Sequence, residues 1–185
     1  MYADPEIFGK RLQILKEAAS SVSKVAFLTI GTSQGLEQPL REAAGRLEIS
    51  VVDMAVKEAT PSELQRVFAE IAQDRLDAVI VNSIGDLFAS RQLIVELVNR
   101  NRLPAIYPWR EYAEAGGLMA YATDLGELGR RMADDVHAIL NGAKPSDIPI
   151  YQPTKYEFVI NLKAAKSLGL DIPPTLLGRA DEVIE

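Results

Sequence analysis

The chain has 185 residues, of which 48% are hydrophobic and 25% charged, and its formal net charge at pH 7 is −6. These proportions allow one domain with a sizeable core, and the negative charge argues against a nucleic-acid partner. Cysteine is absent, which excludes disulfides and thiolate metal sites, and no apolar run approaches the roughly 20 residues that a membrane-spanning helix needs.

A helix and a buried strand are predicted at the start of the chain. Asp4-Pro5 is typical of a helix start, because Asp caps helices and Pro suits their first position. Apolar side chains then recur at helical spacing, at Phe8, Leu12, Leu15 and Ala19. The nearly continuous apolar run over residues 25–30 predicts a strand that is buried on both faces.

Three further strands alternate with helices as far as residue 107. These strands are predicted over residues 49–56, 78–81 and 104–107. The helices between them are indicated by the capping box Thr60-Pro61-Ser62-Glu63 and by a single helical pattern over residues 87–101. Strands that alternate in this way with amphipathic helices predict an α/β fold, in which a doubly wound parallel sheet carries helices on both faces.

The alternation changes after residue 107. A short strand over residues 118–122 leads into a longer helix over 125–140, which Asn141-Gly142 ends. The remaining elements are a short helix over 109–115, a strand over 157–161, a helix over 162–168 and a last helix introduced by Pro173-Pro174. The strand at 118–122 and the helix after it therefore form an excursion from the main sheet.

The loops that follow the first and third strands are the candidate ligand site, because ligands of open parallel sheets bind beyond the carboxyl ends of the strands. In Gly31-Thr32-Ser33, backbone N–H groups and the hydroxyls of Thr32 and Ser33 favour an anion such as a carboxylate. A helix cap with nothing bound is an equal alternative. Asn82, Ser83 and Asp86 follow the third strand. Asp86 is suited to a ligand ammonium group, although capping of the next helix is the favoured role.

Two side chains just past the fourth strand are further candidates. Trp109 and Tyr107 are placed to stack on an apolar ligand, and packing in the core is an equal alternative. Arg110 is a candidate ligand contact as well, and a surface ion pair with Glu111 is its alternative.

One catalytic pattern is present, and the sequence argues against it. The run 31–35 matches Gly-x-Ser-x-Gly between a strand and a helix, with Ser33 as nucleophile, His137 as base and Asp86 as acid. However, the oxyanion hole of such an elbow needs an N–H from an earlier strand–helix loop, and no strand is predicted before residue 25. His137 is the only histidine, so a metal site is improbable. We therefore expect a non-enzymatic protein without a cofactor.

Several motifs, most of them toward the C-terminus, are similar to those of one known family. They are Leu103-Pro104-Ala105-Ile106-Tyr107, Arg110-Glu111-Tyr112, Glu114-Ala115-Gly116-Gly117-Leu118-Met119, Ile139-Leu140-Asn141-Gly142-Ala143-Lys144-Pro145, Gln152-Pro153-Thr154-Lys155-Tyr156-Glu157-Phe158-Val159-Ile160-Asn161-Leu162 and Arg179-Ala180-Asp181-Glu182-Val183-Ile184-Glu185. In these motifs the chain resembles the ABC-transporter substrate-binding proteins related to the tryptophan/tyrosine-binding type. The resemblance covers essentially the whole chain.

The resemblance implies a type I periplasmic-binding fold that is shorter than in the relatives. Those relatives have two α/β lobes and hold a small ligand, often an aromatic amino acid, between them. By this resemblance residues 1–108 and 153–185 form one ligand-binding lobe. Residues 109–152 are then a crossover segment and the remnant of an incomplete second lobe, to which the strand–helix excursion belongs.

The function implied is non-enzymatic binding of a small molecule, an amino acid or another small carboxylate, in partnership with an ABC permease. Two alternatives are a vestigial or interaction protein that has lost its ligand, and a sensor domain that acts with a regulatory partner. The resemblance implies a periplasmic location. The first residues have no charged or apolar segment of a signal peptide, which favours the cytoplasm if Met1 is the native start.

A homodimer is also expected. The strand over 118–122 is predicted to leave backbone groups unpaired, and the helix over 125–140 has an apolar stripe with no evident cover. Both features invite association, so we expect a two-fold dimer through residues 118–140. The alternative is that these segments fold back on their own lobe.

Overall fold

The computed structural model describes residues 6–31, 37–151 and 153–185. In chain order the helices are α1 Glu6–Ala18, α2 Glu37–Arg46, α3 Pro61–Gln73, α4 Gly85–Ala89, α5 Arg91–Arg100, α6 Arg110–Glu114, α7 Leu125–Leu140, α8 Leu162–Leu168 and α9 Pro174–Leu177. The strands are β1 Lys24–Ile30, β2 Ser50–Val56, β3 Ala78–Val81, β4 Ala105–Tyr107, β5 Met119–Thr123, β6 Tyr156–Asn161 and β7 Glu182–Ile184. None of these helices is long and apolar enough to cross a membrane.

The strands form one sheet in the order β2-β1-β3-β4-β5-β6-β7. β1 pairs in parallel with both β2 and β3, and β4 continues the parallel part between β3 and β5. β6 is antiparallel to β5 and parallel to β7. The predicted parallel sheet over the first four strands is therefore confirmed, and its central strands are buried as their continuous apolar sequences require.

Helices cover the sheet on both faces, and each face has its own apolar core. On one face α1, α2, α8 and α9 pack through residues such as Phe8, Leu40 and Leu176. On the other face α3, α5 and α6 pack through residues such as Phe68 and Val95. The apolar stripe predicted at the start of the chain is confirmed, since its four side chains are buried, three of them in α1 and Ala19 just past its end. The doubly wound architecture follows from these two buried faces.

The single helix predicted over residues 87–101 is wrong, because two helices occupy this stretch. α4 ends at Ala89 and α5 begins at Arg91, with Ser90 between them. The Ser90 hydroxyl donates to the carbonyl of Ala59, 2.9 Å away, in the loop after β2. This tertiary hydrogen bond lies outside both helices, and no periodic pattern in the local sequence encodes it.

The prediction that the strand near residue 118 leaves its backbone groups unpaired is also wrong. β5 lies inside the sheet, where Met119 and Ala120 pair with β4 on one side and with β6 on the other. All five residues of β5 have a partner in β6. Beyond β5 the sheet continues with β6 and β7, and β7 was not predicted from the sequence.

The helix that follows β5 has the exposure expected of an excursion. α7 has no buried residue, and its apolar side chains Met132 and Leu140 are 61% and 80% exposed. Two polar contacts join its first turn to residues that follow the helix. The Tyr151 hydroxyl donates to Glu127 over 2.7 Å, and Lys155 lies 2.8 Å from Asp124.

Candidate functional site

The strand order identifies one edge of the sheet as the place for a ligand. From β1 the chain passes to β2 on one side and then returns to β3 on the other. A crevice forms at such a switch point beyond the carboxyl ends of the two strands. At this point Asn82 Nδ2 donates to Thr29 Oγ1 over 3.0 Å, and both side chains are buried. The pair joins the ends of β1 and β3.

Ser83 continues this polar group toward a buried arginine. Its backbone N–H donates to Asn82 Oδ1 over 2.7 Å, and its hydroxyl oxygen accepts from Arg11 Nη1 over 3.2 Å. Arg11 Nε donates to the backbone carbonyl of Tyr121 in β5, 2.8 Å away. The guanidinium thus connects α1 with the middle of β5 and with the loop that follows β3.

Arg11 is unusual because it is a buried cation that no described residue pairs with an anion. The residue is 1% exposed, and its guanidinium lies 5.4 Å from the centre of the Phe8 ring. No carboxylate of a described residue is among its partners. Burial lowers the pKa of Arg11 to about 9, which leaves the group charged at neutral pH. The site therefore carries a positive charge that these residues do not neutralise.

Sequence reasoning missed Arg11, although one signal was available. The residue follows Phe8 by three positions and Ile7 by four, which places it on the inward face of α1. A charged residue on such a face is rarely buried without a partner. That irregularity in an otherwise apolar face could have marked it.

Aromatic side chains lie beside the polar group, after β3 and β4. Trp109, half-buried, stacks on Tyr112 with ring centres 6.4 Å apart and meets Phe88 edge-on at 5.2 Å. Tyr107 also stacks on Tyr112, with ring centres 4.8 Å apart. Tyr107 is fully buried, so the core-packing alternative holds for this residue.

Two hydroxyl groups in this aromatic cluster have no partner. Tyr107 and Tyr112 are buried, and within the described part of the chain neither hydroxyl makes a hydrogen bond. Burial raises the pKa of both hydroxyls well above the ordinary value, so both stay protonated. Protonated hydroxyls can donate as well as accept, and they add polarity to a largely apolar cluster.

Arg110 is held by carboxylates. Its guanidinium lies 3.0 Å from Glu114 and 2.6 Å from both Glu157 in β6 and Glu182 in β7. These partners raise the pKa of Arg110. The ion pair with Glu111 weighed from the sequence is not among these contacts. Arg110 thus fastens α6 to the last two strands, and its role toward a ligand stays a prediction.

The other predicted site residues differ in how the structure places them. Asp86 lies exposed in the first turn of α4, and the N-cap position belongs to Ile84, so the capping prediction for Asp86 is wrong. Thr32 and Ser33 lie outside the described residues, as does the Gly-x-Ser-x-Gly run apart from Gly31. His137 is exposed on α7, with Nε2 3.1 Å from Asn141 Nδ2. Across residues 6–31, 37–151 and 153–185, no cluster of acidic and histidine side chains could hold a metal ion.

A groove of the described chain lies elsewhere. It has a volume of about 770 Å³ and runs between α1 and α2, where Gln13 and Arg46 line it. Tyr121 and Tyr156 also line this groove, with their rings stacked 5.4 Å apart. None of the predicted ligand residues that the structure describes borders it. The groove is therefore separate from the polar side chains at the carboxyl ends of β1 and β3.

Comparison with known proteins gives one family and a consistent fold. The family described as ABC transporter substrate binding protein matches residues 4–184. No sequence among the curated proteins matches the chain. Among solved structures, the ABC domain from Streptococcus pneumonia in complex with L-Trp has a TM-score of 0.85 at 23% identity. That alignment covers 96% of this chain and 62% of the other.

Two further structures agree with this fold. A conserved domain protein from Vibrio cholerae has a TM-score of 0.85 at 22% identity, over 95% of this chain and 60% of its own. A ligand-free, open substrate-binding protein with adhesive properties from Clostridium difficile has a TM-score of 0.66 at 21% identity, over 95% and 59%. The chain therefore spans about 60% of the length of these solved structures.

Proposed function

The chain belongs to the ABC transporter substrate-binding protein family, and from this membership we propose that it binds an amino acid or another small carboxylate without converting it. The ligand lies at the carboxyl edge, which is the edge of the sheet where the parallel strands have their carboxyl ends. There it is bound against Thr32, Ser33, Asn82, Ser83, Asp86, Trp109 and Arg110. Residues 1–108 and 153–185 act as the ligand lobe in this proposal. Residues 109–152 act as the crossover segment and second-lobe remnant.

One observation carries the choice of ligand class. A half-buried indole, Trp109, lies just past the end of β4, and buried polar side chains close the neighbouring strand ends at Asn82 and Thr29. Aromatic rings pack well on such an indole face, and polar groups beside it fix the orientation of a ligand. L-Trp and L-Tyr combine a ring with charged groups and are the first ligands to test.

A thermal-shift titration with the twenty amino acids tests this proposal. We expect L-Trp or L-Tyr to raise the melting temperature with concentration, because binding to the native state stabilises it by mass action. Trp109 is the only tryptophan, so its emission during an L-Tyr titration reports on the site directly. If no amino acid changes either signal, the amino-acid ligand is wrong and a protein that has lost its ligand becomes the better description.

Substitution of Trp109 tests whether the ligand binds at the proposed edge of the sheet. Trp109→Leu removes the ring that faces the ligand, and we expect it to weaken L-Tyr binding by about tenfold or more. Tyr151→Leu is the matched control, since Tyr151 is a half-buried aromatic residue beside α7, on Glu127. Equal binding by both variants and the original protein contradicts the proposed ligand face.

Two partners are proposed, one from family membership and one from the exposed apolar face of α7. We propose that the protein works with an ABC permease on the periplasmic side of the membrane. We also propose a two-fold homodimer through residues 118–140, in which the exposed apolar face of α7 meets its own copy.

A further inference from the structure

Arg11 does not have the surroundings of an ordinary structural arginine. A buried cation is normally paired with a carboxylate, because an unpaired buried charge is strongly unfavourable. Arg11 is 1% exposed, and its hydrogen-bond partners among the described residues are a serine hydroxyl and a backbone carbonyl, which are both uncharged. The protein therefore keeps this charge at a cost in stability. This cost indicates that the charge acts on a group from outside the chain, such as a ligand.

The hydrogen bond between Arg11 and Ser83 determines the direction in which the serine hydroxyl can donate its proton. A hydroxyl has one proton to donate and two lone pairs to accept with. Because Arg11 Nη1 donates to Ser83 Oγ over 3.2 Å, the oxygen is engaged as an acceptor and its proton is directed away from the guanidinium. Ser83 is only half-buried, at the carboxyl end of β3. No described residue accepts a hydrogen bond from this hydroxyl, so its O–H can donate into the proposed ligand site.

We infer that Arg11 makes this edge selective for an anionic group, the carboxylate of the ligand, by orienting the Ser83 hydroxyl as a donor and by supplying behind it a positive charge that no described residue neutralises. Arg11 is a positioning residue here, and Ser83 is the residue that contacts the ligand. The inference deepens the proposed function and rests on it for the location of the site. It does not depend on which amino acid is bound.

The alternative is a purely structural role, in which Arg11 holds α1 against β3 and β5. A structural role predicts loss of stability when Arg11 is changed, with no effect on the discrimination between a charged and a neutral ligand group. Selectivity for an anion predicts the opposite pattern. The two roles can therefore be separated by measuring discrimination instead of affinity alone.

The experiment compares L-Trp with its neutral amide, tryptophanamide, by isothermal titration calorimetry. We expect the original protein to prefer L-Trp by about tenfold or more, the value of one charge-assisted hydrogen bond. Arg11→Met should bring this ratio close to one, and Arg11→Lys should restore part of it. Lys10→Met removes a positive charge from the same helix and should leave the ratio unchanged.

A second arm separates failure of this inference from failure of the proposed ligand. The melting temperature is measured in sodium acetate and in sodium chloride at equal ionic strength, with no amino acid present. We expect acetate to stabilise the original protein more than chloride, and expect Arg11→Met to abolish the difference. Should Arg11→Met not fold, Ser83→Ala removes the donor itself and takes its place in both arms.

Each outcome decides one statement. Equal binding of L-Trp and tryptophanamide by the original protein overturns the inference and leaves amino-acid binding intact. An acetate effect that depends on Arg11, without binding of any amino acid, supports the inference and rejects the amino-acid ligand. If acetate has no effect and no amino acid binds, both the inference and the amino-acid ligand are wrong. If Arg11→Met and Ser83→Ala still discriminate fully between L-Trp and tryptophanamide, the inference is wrong.

Discussion

At the scale of single residues, six of the described helices end in the same backbone geometry. In each, a residue with positive φ follows the helix, and the next N–H donates to a carbonyl five residues earlier, as Leu76 does to Ile71 over 3.0 Å. The positive-φ residue is glycine after α6, α7 and α8, at Gly116, Gly142 and Gly169. After α2, α3 and α5 it is Glu48, Arg75 or Arg102, for which this conformation is strained.

Arg75→Gly should therefore stabilise the protein. Relief of left-handed strain is worth about 1–2 kcal/mol, and the greater freedom of glycine in the unfolded chain offsets up to about 1 kcal/mol of it. We expect a net gain of about 0.5–1 kcal/mol in the free energy of unfolding, measured by urea denaturation. Gln73→Gly, in the last turn of the same helix, is the control and should lose about 1 kcal/mol. Loss of stability in Arg75→Gly contradicts the strain argument.

Gly117 is required for a different reason, which is space. A Cβ at this position would overlap the Tyr107 ring and lie 2.8 Å from the carbonyl oxygen of Tyr112. Gly117→Ala should lower the free energy of unfolding by about 1–3 kcal/mol, the usual effect of overpacking. In Gly129→Ala the new methyl group meets open space on α7, so we expect a small gain from helix propensity. Equal unfolding curves for the two variants would show that the aromatic cluster yields to the methyl group.

At the scale of elements, the N-terminus of α7 is held by one carboxylate. Asp124 caps the helix by accepting from the N–H of Glu127 over 3.0 Å, and it pairs with Lys155 over 2.8 Å. Lys155 and this backbone hydrogen bond lower the pKa of Asp124 to about 2 from its ordinary 3.8. The carboxylate therefore stabilises the folded state above pH 3.8, and this contribution is lost as the pH falls toward 2.

We expect α7 to lose protection at its first turn over this pH interval, earlier than the core strands. Amide hydrogen exchange resolved by residue measures it. In Asp124→Asn the side chain still caps the helix but cannot ionise, so the pH dependence at the first turn should be reduced. Asp134→Asn on the exposed surface of α7 is the control and should keep it. An unchanged pH profile in Asp124→Asn excludes this carboxylate as its source.

At the scale of the whole molecule, assembly is the most accessible prediction. If the apolar face of α7 buries several hundred Å² against a copy, about 25 cal/mol per Å² yields on the order of 10 kcal/mol before association costs. We expect a dimer in sedimentation velocity at micromolar concentration. Leu128→Asp and Met132→Asp each place a charge in the contact and should shift the protein to a monomer.

The control for assembly lies on the same helix. Ala133→Asp adds the same charge at an exposed position beside the apolar stripe, and it should leave the dimer largely intact. A monomeric original protein at this concentration rejects the homodimer. The apolar face would then have to be covered by something other than a second copy of this chain.

The candidate site was predictable from the sequence as far as topology alone determines it. Asn82, Ser83 and Trp109 were assigned to the carboxyl edge because each follows a strand whose apolar run identifies it, and the structure places them there. Arg11 was missed because its role depends on β3 and β5, which lie far from it along the chain. Helical periodicity shows which way a side chain faces, but it does not show what that side chain meets.

By itself, the sequence determined the order of the strands as far as β4, the parallel sheet and the family. These follow from local properties: continuous apolar runs need burial on both faces, and capping residues act within one turn of a helix. Only the tertiary structure decided that β5 lies inside the sheet, that β7 extends it, that Ser90 divides two helices and that Arg11 is buried without an anion among the described residues. Each of these depends on a contact between distant segments, and such contacts exist only once the sheet has assembled.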